Sequence, residues 1–346
     1  MTGEAASVAL LGRLLRSLAI VRRWLLIALL LAAAPGAAEP VKVGIVKTSA
    51  SGHVFIALEK GYFAEEGLEV TLIPFEAAQP VAIAVVTGNL DIGVSALTAA
   101  LYAFGGQGAL RLVAGQSRDL PTYQNINYLA SNRAYEAGLR TPKDIAGHSV
   151  ALTQIGGPSH YALGMLAERY HFDLKSLRLF PLQSFPNIAS ALAGNQVDVG
   201  MLAATPGLAA VNGGEARLVG WVGDETPWQI GGVFVTSATA DNRRDLVTRF
   251  LRAYIKGARD YHAAFSGPDE KRADGRTAGA MREIIAKYTG QPAESLRDGI
   301  GYVDPDARID VQDILRQIAW YKSQNMLKLD GTGDYIIDRR YAKPLR

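Results

Sequence analysis

The sequence predicts an α/β protein of two lobes joined by a two-strand hinge, and three observations support this fold class. Strand-like and helix-like stretches alternate along the chain, which favours parallel sheets with right-handed crossovers. The segment GNLDIGVSALTAAL (88–101) returns as GNQVDVGMLAATPGL (194–208), and each copy is followed by Gly-Gly and later by Arg-Leu-Val. Two short β-like stretches, near 128–133 and 232–237, can carry the chain into the second lobe and back. The repeat therefore predicts the same structural unit once in each lobe.

In the first lobe, apolar or alternating runs predict strands, and helical spacing of apolar residues predicts helices. Gly61 and Gly88 follow two helical runs as stop signals. The predicted strands are 41–46, 68–75, 91–96 and 110–115, and the predicted helices are 53–63, 80–88 and 97–106.

A second series with the same order begins after TPKDIAG (141–147). Helices then dominate the C-terminal part, where apolar residues from Ile309 to Ala319 form an amphipathic stripe, and we expect these helices to pack on the first lobe. The predicted division is 39–130 plus 236–346 for lobe 1 and 131–235 for lobe 2. The later predicted strands are 149–153, 177–183, 197–203, 217–223 and 231–237, and the later helices are 158–172, 187–195, 205–214, 245–265, about 278–289 and 308–326.

The N-terminal segment has the pattern of a secretory signal peptide. Arg13, Arg16, Arg22 and Arg23 precede the apolar run WLLIALLLAAA, and small residues follow it. The run is about half of the ~20 residues that cross a bilayer, so we expect cleavage after Ala38 rather than a membrane anchor. Removing residues 1–38 takes four of the 36 basic and one of the 33 acidic residues and leaves 32 of each. A net charge of zero gives no reason to expect nucleic acid or an anionic membrane as a partner.

Composition and motifs argue against several functional classes. The chain has no cysteine, which excludes disulfides, thiolate metal sites and a lipid anchor on cysteine. An exported, unanchored chain without cysteine is typical of a Gram-negative periplasm. No G-x-S-x-G elbow, H-E-x-x-H pair or P-loop occurs in the sequence. We therefore predict no cofactor, metal or catalysis, although His53 and His160 could converge across the cleft as an acid and a base.

Candidate ligand-binding residues lie in the loops that join strand ends to the next helices. In open α/β sheets, ligands sit beyond the carboxyl ends of strands, where helix N-termini present free N–H groups. Ser and Thr at these turns are also ordinary helix caps, and Trp228 either closes over a ligand or packs between the lobes. The loops are KTSASGH (47–53), PFEAAQP (74–80) and SALT (95–98) in the first lobe and TQIGGPSH (153–160), QSFPN (183–187) and AATP (203–206) in the second.

The stretch ALEKGYFAEEGLEVTL (57–72) resembles the periplasmic binding proteins of ABC importers for nitrate, sulfonates, taurine and thiamine-precursor pyrimidines. GNLDIGVSAL, GGPSHYALGMLAERYHFD and SALAGNQVDVGMLAATP agree with this resemblance, which covers about 41–265. It implies a bilobal periplasmic-binding-protein fold, a small ligand between the lobes and docking onto an inner-membrane permease. The ligand-binding residues predicted from the loops and the resemblance together are Ser49, Ser51, His53, Ser95, Thr98, Gly157, Ser159, His160, Phe185, Asn187, Thr205 and Trp228.

The predicted ligand is a small organic anion, because many hydroxyls and helix N-termini accompany few cations in these loops. The candidate cations are Lys47, His53, Arg118 and His160, and aromatic residues suit an organic body. A sulfonate or a carboxylate fits this pattern, and a neutral pyrimidine-type thiamine precursor is the alternative. An exported enzyme or a sensor on the same scaffold also stays open. We expect a periplasmic monomer that delivers its ligand to an ABC permease.

Overall fold

The computed structural model describes residues 38–345. The chain divides into two compact units, Met1–Glu39 and Pro40–Arg346, and the α/β fold belongs to the second. The predicted signal peptide, 1–38, lies outside the described residues except for Ala38. Within the described range, no helix is long and apolar enough to span a bilayer.

Five strands form the first sheet, namely β1 (Glu39–Val46), β2 (Leu68–Phe75), β3 (Ile92–Ala96), β4 (Leu110–Gly115) and β12 (Gly231–Thr236). Their order is β2-β1-β3-β12-β4. β1 and β3 run parallel, whereas β12 is antiparallel to both of its neighbours because it arrives from the other lobe. The connecting helices are α1 (Gly52–Glu59), α2 (Tyr62–Glu65), α3 (Ala78–Val86) and α4 (Ala99–Gly106).

The second sheet consists of β6 (Ile126–Ser131), β7 (Ser149–Leu152), β8 (Arg178–Pro181), β9 (Val199–Ala203) and β10 (Ala216–Trp221). Their order is β10-β6-β9-β7-β8. β7 is parallel to β8 and β9, but β6 is antiparallel to β9 and β10, so the expected parallel sheets are in fact mixed. The helices of this lobe are α5 (Asn132–Glu136), α6 (Pro158–Tyr170), α7 (Phe185–Ala193), α8 (Ala204–Asn212) and α9 (Val222–Glu225).

Two stretches of chain cross between the sheets and pair as a short ribbon. β5 (Arg118–Asp119) and β11 (Trp228–Gln229) run antiparallel, with Trp228 opposite Asp119. The lobe boundaries at 130/131 and 235/236 stay a prediction. Strand pairing favours a small shift, since β6 already belongs to the second sheet and all of β12 belongs to the first. We therefore propose that the crossings are 116–125 and 226–230.

The C-terminal part contains α10 (Ser237–Asn242), α11 (Arg244–Phe265), α12 (Ala278–Thr289) and α13 (Val311–Ser323). α11 packs on α1, but α13 differs from the expectation that these helices contact the first lobe alone. Gln317 of α13 accepts a hydrogen bond from the Tyr102 hydroxyl of the first lobe (2.9 Å). The Tyr321 hydroxyl donates to the Gly157 carbonyl of the second lobe (3.2 Å). The amphipathic stripe of α13 is therefore shared by both lobes.

One apolar cluster runs through both lobes and includes α13. Its buried members include Leu97 and Tyr102 of the first lobe, Leu152 and Tyr161 of the second, and Ile314 of α13. A second cluster lies between the first sheet and α11, and a third lies under α7 and α8. Because the largest cluster is continuous, the two lobes share one core at their junction with α13.

A close approach between α11 and α1 depends on Gly257. A Cβ at this position would lie 2.3 Å from the His53 carbonyl oxygen and 2.8 Å from the Ala57 Cβ. We expect Gly257→Ala to lower the free energy of unfolding by about 1–3 kcal/mol, because two helix backbones must separate. Gly279→Ala in α12 is the control, since a Cβ there meets nothing within 4 Å, and it should stabilise by about 0.4–1 kcal/mol. Urea denaturation measures both changes, and equal effects would contradict the packing argument.

Candidate functional site

A cavity of about 70 Å³ lies where the carboxyl ends of strands from both sheets meet. Its wall combines strand ends, helix N-termini and the crossing segments. This is the place where open α/β sheets bind ligands. The lining residues are Val46, Thr48, Ala50, Ser51, Glu76, Ala77, Ala78, Ser95, Ala96, Gln116, Asn125, Ile126, Thr153, Pro158, Ser159, Phe185, Leu202, Ala203 and Ile230.

Both copies of the internal repeat reach this cavity. Ser95 and Ala96 end β3 in the first lobe, and Leu202 and Ala203 end β9 in the second. The duplicated strand therefore contributes its carboxyl end to the wall from each side, as the repeat predicts.

Helix N-termini surround the cavity from several directions. Ala78 begins α3, Pro158 and Ser159 begin α6, Phe185 begins α7, and Ala203 directly precedes α8. The first N–H groups of a helix have no acceptor within the helix and carry partial positive charge. Not all of them are free here, because Pro158 has no N–H and the Ala204 N–H of α8 donates to the Asn125 carbonyl (2.7 Å). The cavity wall can therefore hold an anion or a polar acceptor without a formal cation.

Polar side chains on the wall are buried and partly used by the protein. The Ser51 hydroxyl donates to the Val46 carbonyl (2.9 Å) and accepts from Gln116 Nε2 (3.3 Å). Asn125 is 3% exposed, and its Nδ2 has no hydrogen-bond partner among residues 38–345. A buried donor without a partner costs free energy. Asn125 Nδ2 lies against Gly301, where an added Cβ would be 2.6 Å from it, so Asn125 contributes to the wall through its other atoms.

None of the four candidate cations from the sequence lines the cavity. Among the described lining residues there is no Lys, Arg or His, and Glu76 is the one acidic residue. Lys47 lies in an adjoining groove that Glu76 and Phe185 also line. Arg118 does not face the cavity but pairs with Asp310 (2.8 Å). Any binding of an anion must therefore rely on N–H dipoles and neutral donors.

The structure brings four of the twelve predicted ligand-binding residues to the cavity wall, namely Ser51, Ser95, Ser159 and Phe185. The other eight are not among the lining residues, and those are Ser49, His53, Thr98, Gly157, His160, Asn187, Thr205 and Trp228.

His53 faces the core of the first lobe instead of the cavity. It is fully buried, with its ring edge-on to Tyr254 at 4.7 Å between centroids and to Tyr261 at 6.1 Å. Burial lowers the pKa of His53 to about 3, so the ring is neutral at pH 7. His160 packs edge-on to Trp320 at 5.4 Å. The two histidines therefore have separate aromatic surroundings and do not form the acid–base pair that we considered.

The hydroxyls and amides outside the wall have structural partners or buried positions. Thr98 caps α4 by accepting from the Leu101 N–H (3.1 Å), and Asn187 donates to the Leu182 carbonyl (2.8 Å). Ser49 is buried in a short 3₁₀ turn, and Thr205 is buried in the first turn of α8. Thr98 and Asn187 therefore hold turns beside the cavity, whereas the Thr205 hydroxyl has no hydrogen-bond partner within residues 38–345.

Trp228 packs between the lobes. This is the second of the two alternatives considered from the sequence, the first being that it closes over a ligand. It is 1% exposed, its ring contacts Tyr161 at 5.1 Å, and its Nε1 donates to Asp119 Oδ2 (3.1 Å). A buried indole needs such an acceptor.

Sequence reasoning missed several wall residues, including Gln116, Asn125, Glu76 and Thr153. Glu76 and Thr153 lie inside loops that were considered, but neither side chain was singled out. Gln116 and Asn125 lie in the first crossing, whereas the search followed strand-to-helix turns only. The sequence feature that could have indicated them is a side-chain amide at each end of the crossing, Gln116 at one end and Asn125 at the other.

Two α/β lobes, each with a mixed β-sheet, and a cavity between their strand ends define a bilobal binding-protein fold. The sequence matches the NMT1/THI5-like family over residues 49–271, and the chain belongs to this family. This confirms the resemblance stated from the sequence. No curated protein matches the sequence at a significant level.

Solved structures show the same fold at low sequence identity. The periplasmic aliphatic sulphonate-binding protein SsuA of Escherichia coli is 16% identical with a TM-score of 0.67, over 89% of this chain and 94% of that one. The periplasmic nitrate-binding protein NrtA of Synechocystis PCC 6803 is 11% identical with a TM-score of 0.68, over 86% and 84%. The desulfurization enzyme DSZB is 13% identical with a TM-score of 0.60, over 88% and 96%. The bilobal periplasmic-binding-protein fold is thus confirmed, and it serves both binding proteins and an enzyme.

Proposed function

We propose that this protein is the periplasmic solute-binding component of an ABC importer, and that it captures a small organic anion in the cavity. The observation that carries the proposal is the convergence of strand ends and helix N-termini from both lobes on one cavity. The signal-peptide pattern supports export, and the family and the fold of the importer-type relatives support delivery to a permease.

The wall has the composition that such a ligand needs. Ile126, Leu202, Ile230 and Phe185 offer apolar surface for an organic body, and hydroxyls such as that of Ser159 lie beside helix N–H groups. The cavity of about 70 Å³ is well above the roughly 10–15 Å³ that a single water needs, so it can admit a group larger than one water. This size favours a small sulfonate or carboxylate in the present conformation.

A neutral pyrimidine-type ligand is the second candidate, and the charges of the wall favour it. Glu76 can accept hydrogen bonds from ring or amino N–H groups, and the side-chain amides of Gln116 and Asn125 can both donate and accept. The lining also contains no cation that would balance an anion. For both candidate ligands we propose binding without turnover, because neither His53 nor His160 lines the cavity.

Thermal-shift and calorimetric titration of the exported chain tests the proposal. We expect stabilisation by at least one compound in a panel of alkanesulfonates, taurine, small and aromatic carboxylates, nitrate and aminopyrimidines. A ligand at about 100 times its Kd adds roughly 2.7 kcal/mol to the free energy of unfolding. Asn125→Leu should weaken binding by about tenfold or more, because an apolar side chain replaces a polar one on the wall. Asn242→Leu, at the exposed end of α10, is the matched control. Lack of stabilisation by every compound would overturn the proposal.

Substitution of Glu76 separates the two candidate ligands. Glu76→Gln removes a negative charge from the rim without changing its shape, so a bound anion should gain affinity, by about two- to fivefold at low salt. A pyrimidine held through its N–H donors should instead lose affinity. Weaker binding of the anion in Glu76→Gln would contradict the organic-anion assignment.

A further inference from the structure

The loop Gln154–Gly157 of the second lobe links the ligand cavity to the first lobe. It joins β7 to α6, and both of its flanks reach the cavity wall through Thr153 on one side and Ser159 on the other. Any movement of the loop therefore moves residues that face the cavity.

A backbone hydrogen bond between the lobes holds this loop. The Gly156 carbonyl accepts from the N–H of Ala99 (2.9 Å). Ala99 is the first residue of α4, so its N–H has no acceptor within the helix. Gly156 has φ +74°, and a Cβ there would lie 3.1 Å from the Ala99 Cβ. A glycine at 156 thus permits both the backbone conformation and the close approach.

His160 holds the loop from its own lobe. Its Nδ1 accepts from the Gly156 N–H (3.1 Å), and the residue is 3% exposed. Burial lowers the pKa of His160 to about 4, so the ring is neutral at pH 7 and Nδ1 keeps the lone pair that it needs as an acceptor. This bond fixes the Gly156 N–H, and the carbonyl of the same residue accepts the hydrogen bond from Ala99.

Helix α13 holds the loop from a third direction. The Tyr321 hydroxyl donates to the Gly157 carbonyl (3.2 Å), and the ring of Trp320 packs on His160. Because α13 also bonds to Tyr102 of the first lobe through Gln317, this support is tied to the first lobe as well.

We propose that Gln154–Gly157 is an interlobe clamp, closed by the Gly156–Ala99 hydrogen bond and positioned by His160 and Tyr321. Neither positioning residue lines the cavity. The link between the clamp and a ligand rests on the proposed function. A ligand in the cavity would contact Thr153 and Ser159 and so favour the closed loop. Coupling of this kind is reciprocal in free energy, so the closed clamp raises the affinity for the ligand, and we expect the gain to appear mainly as slower dissociation.

Amide hydrogen exchange of the ligand-free protein, measured by NMR, tests the clamp without any ligand. In His160→Leu we expect the Ala99 amide to exchange about tenfold faster, because the Gly156 peptide loses its support. His160→Asn places Oδ1 where Nδ1 was, three bonds from Cα, and should restore exchange to within about threefold of wild type. Leu101, whose N–H bonds to Thr98 of the same helix, should not change in any variant. Unchanged exchange at Ala99 in His160→Leu would overturn the clamp.

Tyr321→Phe provides an independent variant that keeps the ring and its packing. It removes the hydroxyl alone, so the protein should fold, and Ala99 exchange should rise by about fivefold, as expected for one lost hydrogen bond. If Ala99 exchange is unchanged in Tyr321→Phe, Tyr321 does not position the clamp. The role of His160 is then decided by the His160→Leu and His160→Asn variants.

Release of ligand is measured with whichever panel compound stabilises the wild type. We expect its dissociation rate to rise about tenfold in His160→Leu and to recover in His160→Asn, with a smaller change in the association rate. Faster Ala99 exchange with an unchanged dissociation rate would overturn the coupling to the ligand. Failure of the whole panel would count against the proposed function, while the exchange measurement still decides on the clamp.

Discussion

Asp313→Ala is expected to destabilise the protein by about 2–4 kcal/mol, because two buried hydrogen bonds, from the Gln229 N–H and from Gln317 Nε2, lose their acceptor. Asp313 of α13 is 5% exposed and accepts from the Gln229 N–H (2.7 Å), from Gln317 Nε2 (2.8 Å) and from the Arg316 guanidinium. Gln229 belongs to the second crossing, so this carboxylate ties the last helix to the ribbon between the lobes. Removing it leaves the Gln229 N–H without an acceptor, whereas Gln317 Nε2 keeps its bond to the Gln229 carbonyl and Arg316 keeps its bond to the Tyr161 hydroxyl.

An exposed carboxylate in a helix serves as the control for Asp313. The Asp245 side chain is 79% exposed and pairs with Arg249 one turn along α11. Asp245→Ala should cost about 0.5 kcal/mol, because solvent screens such pairs. Urea unfolding at pH 7 compares the two variants. A loss below 1 kcal/mol for Asp313→Ala would show that the network does not hold α13 in place.

The stability of the protein is expected to depend on pH through Asp119. This residue is fully buried in β5, and its burial raises the pKa to about 8, against a smaller lowering by the Trp228 N–H. Its Oδ1 has no hydrogen-bond partner within residues 38–345. Since the pKa of the folded state is raised, the folded protein keeps a proton that the unfolded chain loses above its ordinary value of 3.8. The stability that this proton confers is present below that value and is lost as the pH rises towards 8.

Asp119→Asn isolates this contribution, because its amide is neutral at every pH and can still accept from Trp228. Each pH unit within the window changes the difference between variant and wild type by roughly 1.4 kcal/mol. We therefore expect the wild type to lose about 2–3 kcal/mol relative to Asp119→Asn between pH 6 and pH 8. Denaturant titration at several pH values measures the difference.

Asp269 provides the matched control for the pH experiment. Its side chain is 60% exposed and pairs with Lys271, which lowers its pKa. It is ionised in both the folded and the unfolded state above pH 6, so Asp269→Asn should show no slope there. A flat difference for Asp119→Asn as well would mean that Asp119 is ionised in the folded protein.

Much of the fold followed from the sequence because its signals are local. The repeat at 88–101 and 194–208 predicted one unit in each lobe, and the structure places both copies at the same cavity. The antiparallel entry of β12 was not predicted, since the direction of a strand depends on where the chain arrives from. The double contact of α13 was also missed, because an amphipathic stripe does not reveal what covers it.

The candidate site was predicted as a set of loops, and helix rotation explains many of the misses. Ser51 faces the cavity whereas His53 does not, and Phe185 faces it whereas Asn187 does not. Residues two positions apart in a helix point about 200° away from each other, so both members of such a pair cannot line one cavity. The sequence pattern gives the position of the turn but not the angle at which the helix leaves it.

The sequence by itself determined the two-lobed plan, the duplicated strand ends and the loops that surround the cavity, because alternation, repeats and turn residues act over a few positions. The tertiary structure alone decided which side chains face the cavity. His53 is turned inward by Tyr254 and Tyr261, which lie some 200 residues away in the chain, and Asn125 reaches the wall because the crossing passes beside it. Packing between distant segments fixes these directions, and no local pattern encodes them.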